Sequence, residues 1–401
     1  MLTRQGWLVG AGACILLVGG RVLGLLELFA LGLVAGALLI GSTVLVHAAR
    51  LELEVGRVLH PSRVHVGTPS RVELAVRNLR KSTTPVLRLV DPVSGTRGAD
   101  LLLAPLGKAQ RTVAAYRLPT DRRGIVQVGP LEIVVGDPFG LATVATVAAP
   151  RVQLTVLPHV DDIAPLPYTT GQDPQAGVRQ LNSLGRTGEE FYALRPYAVG
   201  DDLRRIHWPT SARQDELLVR QNELPWQGRT TVLLDVRTAA HDGESLELAV
   251  SAAASIVTAT ARRQDLVRLI TTAGSDSDFA PGTDHVQAIM EHLAVVDTSG
   301  DANLRRTLEQ LNRRSTGGAL IVVVADVPAE DVRAVSALRT RYGSVTVVQI
   351  ERSAWDPKVP VGPPESGAVL RVTREQPFAT TWNRFARSAT GRPGALAAGR
   401  R

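Results

Sequence analysis

The densest group of chemistry-bearing side chains lies between Gly188 and Arg213. Arg195, Arg204 and Arg213 share this short run with Glu190, Asp201 and Asp202. A guanidinium grips a carboxylate as a two-pronged fork, so the chemistry on offer is ion pairing rather than bond making. The run can clamp a loop to a sheet edge or present a docking surface. Gly200-Asp201 offers a tight turn, and Phe191, Tyr197, Ile206 and Trp208 supply apolar anchors. It contains no Ser/His/Asp order, no metal-binding His pair and no glycine-rich phosphate loop with a lysine. Two further carboxylates, Asp235 and Asp326, each close an apolar run. At the carboxyl end of a strand in an open sheet such a group can hold metal or substrate, and it can equally cap the next helix or accept from loop amides. No residue is assigned a catalytic role, and no cofactor is implied.

The elements that must position these residues alternate from Thr230 onward. Apolar runs at Thr230–Val236, Leu266–Thr272, Ala319–Val324, Ser344–Ile350 and Val369–Val372 read as strands. Helical periodicity marks Glu244–Arg263, Asp284–Val296, Leu304–Arg314, Ala329–Arg341 and Pro377–Ala386. Strand–helix alternation predicts a doubly wound α/β domain over residues 230–388, followed by a flexible tail at 389–401. Residues 159–229 read as a linker, rich in Pro, Gly, Asp and Gln, that runs into the arginine–carboxylate segment.

Upstream, residues 50–158 show period-two alternation, as in Arg71–Asn78 and Arg111–Leu118, broken by turn signals such as Asp91-Pro92 and Gly129-Pro130. This pattern predicts a β-sandwich-like domain. Residues 1–49 are almost wholly apolar. One straight helix from Gly6 to Val46 would be about 60 Å long, roughly twice the hydrocarbon thickness, so the stretch predicts a two-span transmembrane hairpin near 6–22 and 25–47. The turn is expected at Gly19-Gly20-Arg21 and Gly24. Arg4, Arg50 and Arg57 flank the hairpin and only Arg21 sits in its turn, which favours a cytoplasmic location for both ends and for the soluble domains.

The 401 residues suffice for two or three folded units. A single cysteine excludes an intramolecular disulfide framework and multi-cysteine zinc or iron–sulfur sites. The net charge of +7 is spread without blocks. That suits an anionic lipid surface and does not mark a nucleic-acid binder.

The segment Glu190-Phe191 … Arg195-Pro196-Tyr197 … Gly200-Asp201 … Arg204-Arg205-Ile206-His207-Trp208 … Ser211-Ala212-Arg213 resembles the signature of a bacterial family, domain of unknown function 58. Glu190, Phe191, Arg195, Tyr197, Gly200, Asp201, Arg204, Ile206, Trp208, Ser211, Ala212 and Arg213 all match. His207 stands where the family commonly has Asp. Asp137-Pro138-Phe139-Gly140-Leu141 and the two-span start match as well. The family's C-terminal half resembles a von Willebrand factor A domain, whose active members hold a divalent metal through Asp-x-Ser-x-Ser, a Thr and a further Asp. Here the first element is Asp235-Val236-Arg237-Thr238-Ala239, the Thr position best matches Asp301, and Asp326 takes the last position. The resemblance therefore implies a degenerate site, with Arg237 pairing with Asp235 or Asp326.

The resemblance further implies a partner, a MoxR-type AAA+ ATPase. The expectation is a membrane-anchored, non-enzymatic scaffold or adaptor in envelope or protein-complex maturation, its protein client undefined. The alternative is an outward-facing cell-envelope adhesion or interaction protein with a metal-dependent von Willebrand factor A site.

Overall fold

The computed structural model describes residues 1–48, 52–166, 191–197, 206–214, 216–222, 228–242, 244–313, 317–325, 327–360 and 369–390. The chain divides into two compact units, Met1–His159 and Val160–Arg401.

The first unit opens with α1 (Arg4–Leu23) and α2 (Leu26–Ala48). At 20 and 23 residues, both are long and apolar enough to cross a membrane. Their faces carry exposed Leu8, Ile15, Val22, Val34 and Ile40, so neither is the core helix of a soluble fold. The turn falls at Gly24, which adopts the left-handed conformation (φ 66°) that a side chain disfavours. Gly20 and Arg21, expected in the turn, complete the last turn of α1.

Ten strands follow: β1 (Leu53–His60), β2 (Arg63–His65), β3 (Ser70–Asn78), β4 (Leu87–Asp91), β5 (Ala99–Leu103), β6 (Arg111–Leu118), β7 (Gly124–Val128), β8 (Leu131–Gly136), β9 (Thr143–Ala149) and β10 (Val152–Leu157). They form three sheets, β1-β3-β6, β2-β10-β7 and β5-β4-β8-β9. Alternate residues such as Val72, Leu74 and Val76 turn inward to one core shared with Leu89, Ile133 and Leu154. Inside this unit Arg57 donates to Asp91 (2.8 Å), both side chains being 1% exposed. The Tyr116 hydroxyl donates to the other oxygen of Asp91 (2.7 Å).

In the second unit β11 (Phe191–Pro196) pairs antiparallel with β12 (Leu218–Asn222), and α3 (Trp208–Gln214) lies between them in sequence. Then come β13 (Arg229–Leu234), α4 (Ser245–Arg262), β14 (Leu266–Thr271), α5 (Thr283–Val295), α6 (Leu304–Arg313), β15 (Ala319–Val324), α7 (Ala329–Ala337), β16 (Ser344–Ile350), β17 (Val369–Val372) and α8 (Phe378–Thr390). The last five strands form one parallel sheet ordered β14-β13-β15-β16-β17. Leu233, Leu320 and Val322 face α6 and α7, whereas α4 packs on β13, β14 and β15 from the other face. Both faces are thus covered, which is why the central strands read as unbroken apolar runs.

The segment just after the unit boundary, expected to be linker, is bound into this second unit. Asp161 N donates to Ser255 on α4 (2.9 Å). On α8, Trp382 Nε1 donates to Ala164 O (2.7 Å) and Ala164 N to Asn383 Oδ1 (2.7 Å).

Candidate functional site

Strand order reverses between β13 and β15, and the crevice outside their carboxyl ends is where an open sheet places a site. Asp235, the residue after β13, stands there with its carboxylate fully buried. Arg237 folds back on it: Nη2 donates to Oδ2 (2.8 Å) and Nε reaches both oxygens (3.0 Å). Thr272, at the end of the neighbouring β14, donates to Oδ1 (3.1 Å). The far side of the guanidinium donates to Asp331 Oδ2 (3.4 Å), in the first turn of α7. Hydrogen bonding to Asp235 raises the pKa of Arg237, burial works against it, and the charges of Asp235 and Asp331 reinforce the rise.

Two neighbours complete the crevice. His241 donates from Nε2 to Asp235 O (2.7 Å), and its Nδ1 meets the Ser245 hydroxyl (3.1 Å). Burial is the main reason its pKa falls below the ordinary histidine value. Ser299 lies beside Arg237, with Ser299 N donating to Val236 O (2.7 Å) and Thr238 N to Ser299 O (3.2 Å).

Arg237 therefore pairs with Asp235, one of its two expected partners, and also with Asp331. Asp326 lies outside the described residues. Asp301 is exposed, and its amide turns toward Ser299 Oγ (3.3 Å). The Asp235 oxygens are occupied by guanidinium, hydroxyl and amide donors, and a hard divalent ion would sit against a fixed cation. The described residues do not fit such an ion.

Sequence reasoning passed over Thr272, His241, Ser299 and Asp331. Thr272 ends a strand and Asp331 opens a helix, so position alone could have flagged both. Ser299 and His241 reach the crevice only through the tertiary fold.

The motif segment forms a separate arrangement. Phe191 and Arg195 lie on β11, where Arg195 is opposite Val219. Tyr197 N donates to Leu217 O (2.7 Å) and His207 N to Leu218 O (2.8 Å). Ile206 is buried and bridges to Val219. Ser211 is buried, and its hydroxyl accepts from Leu218 N (2.9 Å). These contacts pin α3 to β12. Trp208 corrects an expectation: read as an apolar anchor, it is 62% exposed. The helix begins at Trp208 and turns Ser211 inward, so Trp208, Ala212 and Arg213 face solvent. Glu190, Gly200, Asp201 and Arg204 lie outside the described residues.

Asp137-Pro138-Phe139-Gly140-Leu141 forms the turn between β8 and β9 in the first unit. The Asp137 carboxylate accepts from the amides of Ala142 (2.6 Å) and Phe139 (2.9 Å). Burial pushes its pKa up, but those amides and the Ser42 hydroxyl on α2 outweigh burial and hold it below the ordinary Asp value. The turn clasps the start of α1. Thr3 N donates to Leu141 O (2.9 Å), Thr143 N to Met1 O (2.9 Å) and Thr3 Oγ1 to Gly140 O (2.6 Å). Gly6 is required there, because a side chain would collide with the Leu141 carbonyl.

No curated protein matches the chain. Among solved structures, the chain is similar to the CARDB domain of the PF1109 protein from Pyrococcus furiosus (17% identity, TM-score 0.21, covering 27% of this chain and 92% of that one). It is also similar to a cycloisomaltooligosaccharide glucanotransferase from Paenibacillus sp. (11% identity, TM-score 0.18, covering 74% and 45%). Likenesses this weak say nothing of activity. The family model is specific: residues 193–391 match the one described as Protein of unknown function DUF58, and this part of the chain belongs to that family.

Proposed function

We propose that the chain is a membrane-anchored, non-enzymatic scaffold that presents its α/β unit to a protein partner. In this reading α1 and α2 span the bilayer, the first unit is sandwich-like, and the second is von Willebrand factor A-like with the metal position given over to Arg237. The observation that carries the reading is Trp208. An indole 62% exposed, on a helix pinned from beneath by Ser211 and Ile206, is what a docking anchor requires. The DUF58 resemblance supplies the partner class, a MoxR-type AAA+ ATPase, and the charge bias around the hairpin supplies a cytoplasmic location.

Gentle extraction of tagged full-length protein from its own membranes, for wild type and Trp208→Ala, tests this reading. The expected result is an AAA+ ATPase that co-purifies with wild type and is lost from the variant at unchanged melting temperature. Equal recovery of the ATPase with both proteins, or none with wild type, overturns it.

A further inference from the structure

One end of the first unit carries an unusual surface. Strand register places three turns together there. Arg88 pairs with Val134 and Gly136 with Thr143, so the Asp137–Ala142 turn lies just beyond the start of β4. Thr84 and Leu106 exchange hydrogen bonds at the same level. Asn78 Nδ2 donates to Ser82 O, Leu106 O and Gly107 O, which ties in the other two turns.

This end abuts the hairpin by two independent routes. Leu79 N donates to Glu52 O (2.9 Å), and Glu52 follows Ala48, the last residue of α2, by a chain that spans at most about 14 Å. The Asp137 turn clasps Met1–Thr3 and reaches Ser42, which lies about 9 Å back along α2 from Ala48.

The side chains on this end are of two kinds. Leu79 (55% exposed), Val86 (52%) and Phe139 (62%) are large apolar groups left open to solvent. Lys81, Lys108 and Arg111 are exposed around them. Lys81 and Lys108 are two of only three lysines in a chain with 45 basic side chains. The one acidic residue in these turns, Asp137, is buried. At the opposite end, the segments Ser62–Pro69 and Pro119–Arg123 expose Arg63 and Arg122 beside Asp121 but bear no large exposed apolar side chain.

We propose that this end is a lipid-contact surface, an inference that rests on reading α1 and α2 as membrane spans. Leu79, Val86 and Phe139 enter the interfacial layer of the bilayer that holds the hairpin. Lys81, Lys108 and Arg111 bind the phosphates of anionic phospholipid headgroups. The occupant follows from continuity, because the Phe139 turn is already held alongside the apolar part of both helices. The first unit is thereby seated flat on an anionic membrane rather than tethered loosely above it.

The test uses the full chain with Cys14→Ala and one new cysteine at a time: Val34→Cys, Leu79→Cys, Phe139→Cys or Thr68→Cys. Each is labelled with a fluorophore and reconstituted into vesicles of phosphatidylcholine or of an equal mixture with phosphatidylglycerol. Nitroxide lipids labelled near the headgroup or deep in the acyl chain serve as quenchers. Val34 should be quenched by deep nitroxide in both vesicles, which checks the span reading. Leu79 and Phe139 should be quenched by shallow nitroxide, more strongly with phosphatidylglycerol, and Thr68 by neither. Lys81→Glu with Lys108→Glu should abolish the phosphatidylglycerol dependence. Quenching at Val34 with Leu79 and Phe139 behaving like Thr68 overturns the proposal and leaves the spans intact. So does a charge-reversed protein that keeps its lipid preference. An unquenched Val34 overturns the span reading and the proposal with it.

Discussion

Arg237 closes on the carboxylate of Asp235, two residues earlier, with Nη2 2.8 Å from Oδ2 and the Asp235 side chain fully buried. Removing the guanidinium leaves a buried negative charge facing Asp331 with only neutral donors. Arg237→Ala should therefore destabilise the second unit by about 3–5 kcal/mol. Denaturant unfolding of the full chain, followed by a signal from that unit, measures the loss.

The same pairing blocks a cation. Titrating Mg²⁺ or Mn²⁺ into the native protein by calorimetry should give no saturable heat assigned to Asp235. A micromolar one-to-one site abolished by Asp235→Ala would contradict the geometry.

His241 makes the second unit acid-sensitive. Its folded pKa is depressed, chiefly by burial, so the neutral ring contributes stability above its unfolded pKa of about 6.5. That contribution is lost as pH falls through the folded value. Melting temperature should drop on acidification below about pH 6.5, and His241→Gln should flatten that part of the profile.

Tyr116 acts at the other end of the scale. Burial, then its hydrogen bond to Asp91, raises the phenol's pKa well above the ordinary value. A raised folded pKa gives stability that is complete below the unfolded pKa of about 10 and declines as pH rises beyond it. The first unit should weaken in strong alkali, and Tyr116→Phe should remove that slope. The substitution should cost about 1 kcal/mol at neutral pH for the lost hydrogen bond.

Asp137→Ala should open the clasp on the first helix. It strips the acceptor from two amides, Phe139 and Ala142, at about 1–3 kcal/mol for buried groups left unpaired. Hydrogen exchange should quicken at Phe139, Ala142 and Thr3 and stay unchanged at the far end of the same sheet. Protection retained at Thr3 would show that the helix start is held independently of Asp137.

The sequence alone determined the element types. The two apolar helices, the period-two strands from Arg71 and Arg111, and the strand–helix alternation after Thr230 all emerged near their expected bounds, because local periodicity records which faces are buried. Strands β2, β5, β9, β11 and β12 went unread. Ala99–Leu103 lacks clean alternation, and Thr143–Ala149 carries small residues of low contrast. The family resemblance left Arg237 two candidate partners, Asp235 or Asp326, and the structure pairs it with Asp235 and Asp331. Only the tertiary structure decided the order β14-β13-β15-β16-β17 and the meeting of Thr272, Asp331 and Ser299 with Asp235 and Arg237. It also turned Trp208 outward over a buried Ser211 and gathered Lys81, Lys108 and Phe139 at the helix-proximal end. Those relations join residues tens of positions apart. They depend on register and packing, which no local pattern of apolar and polar residues encodes.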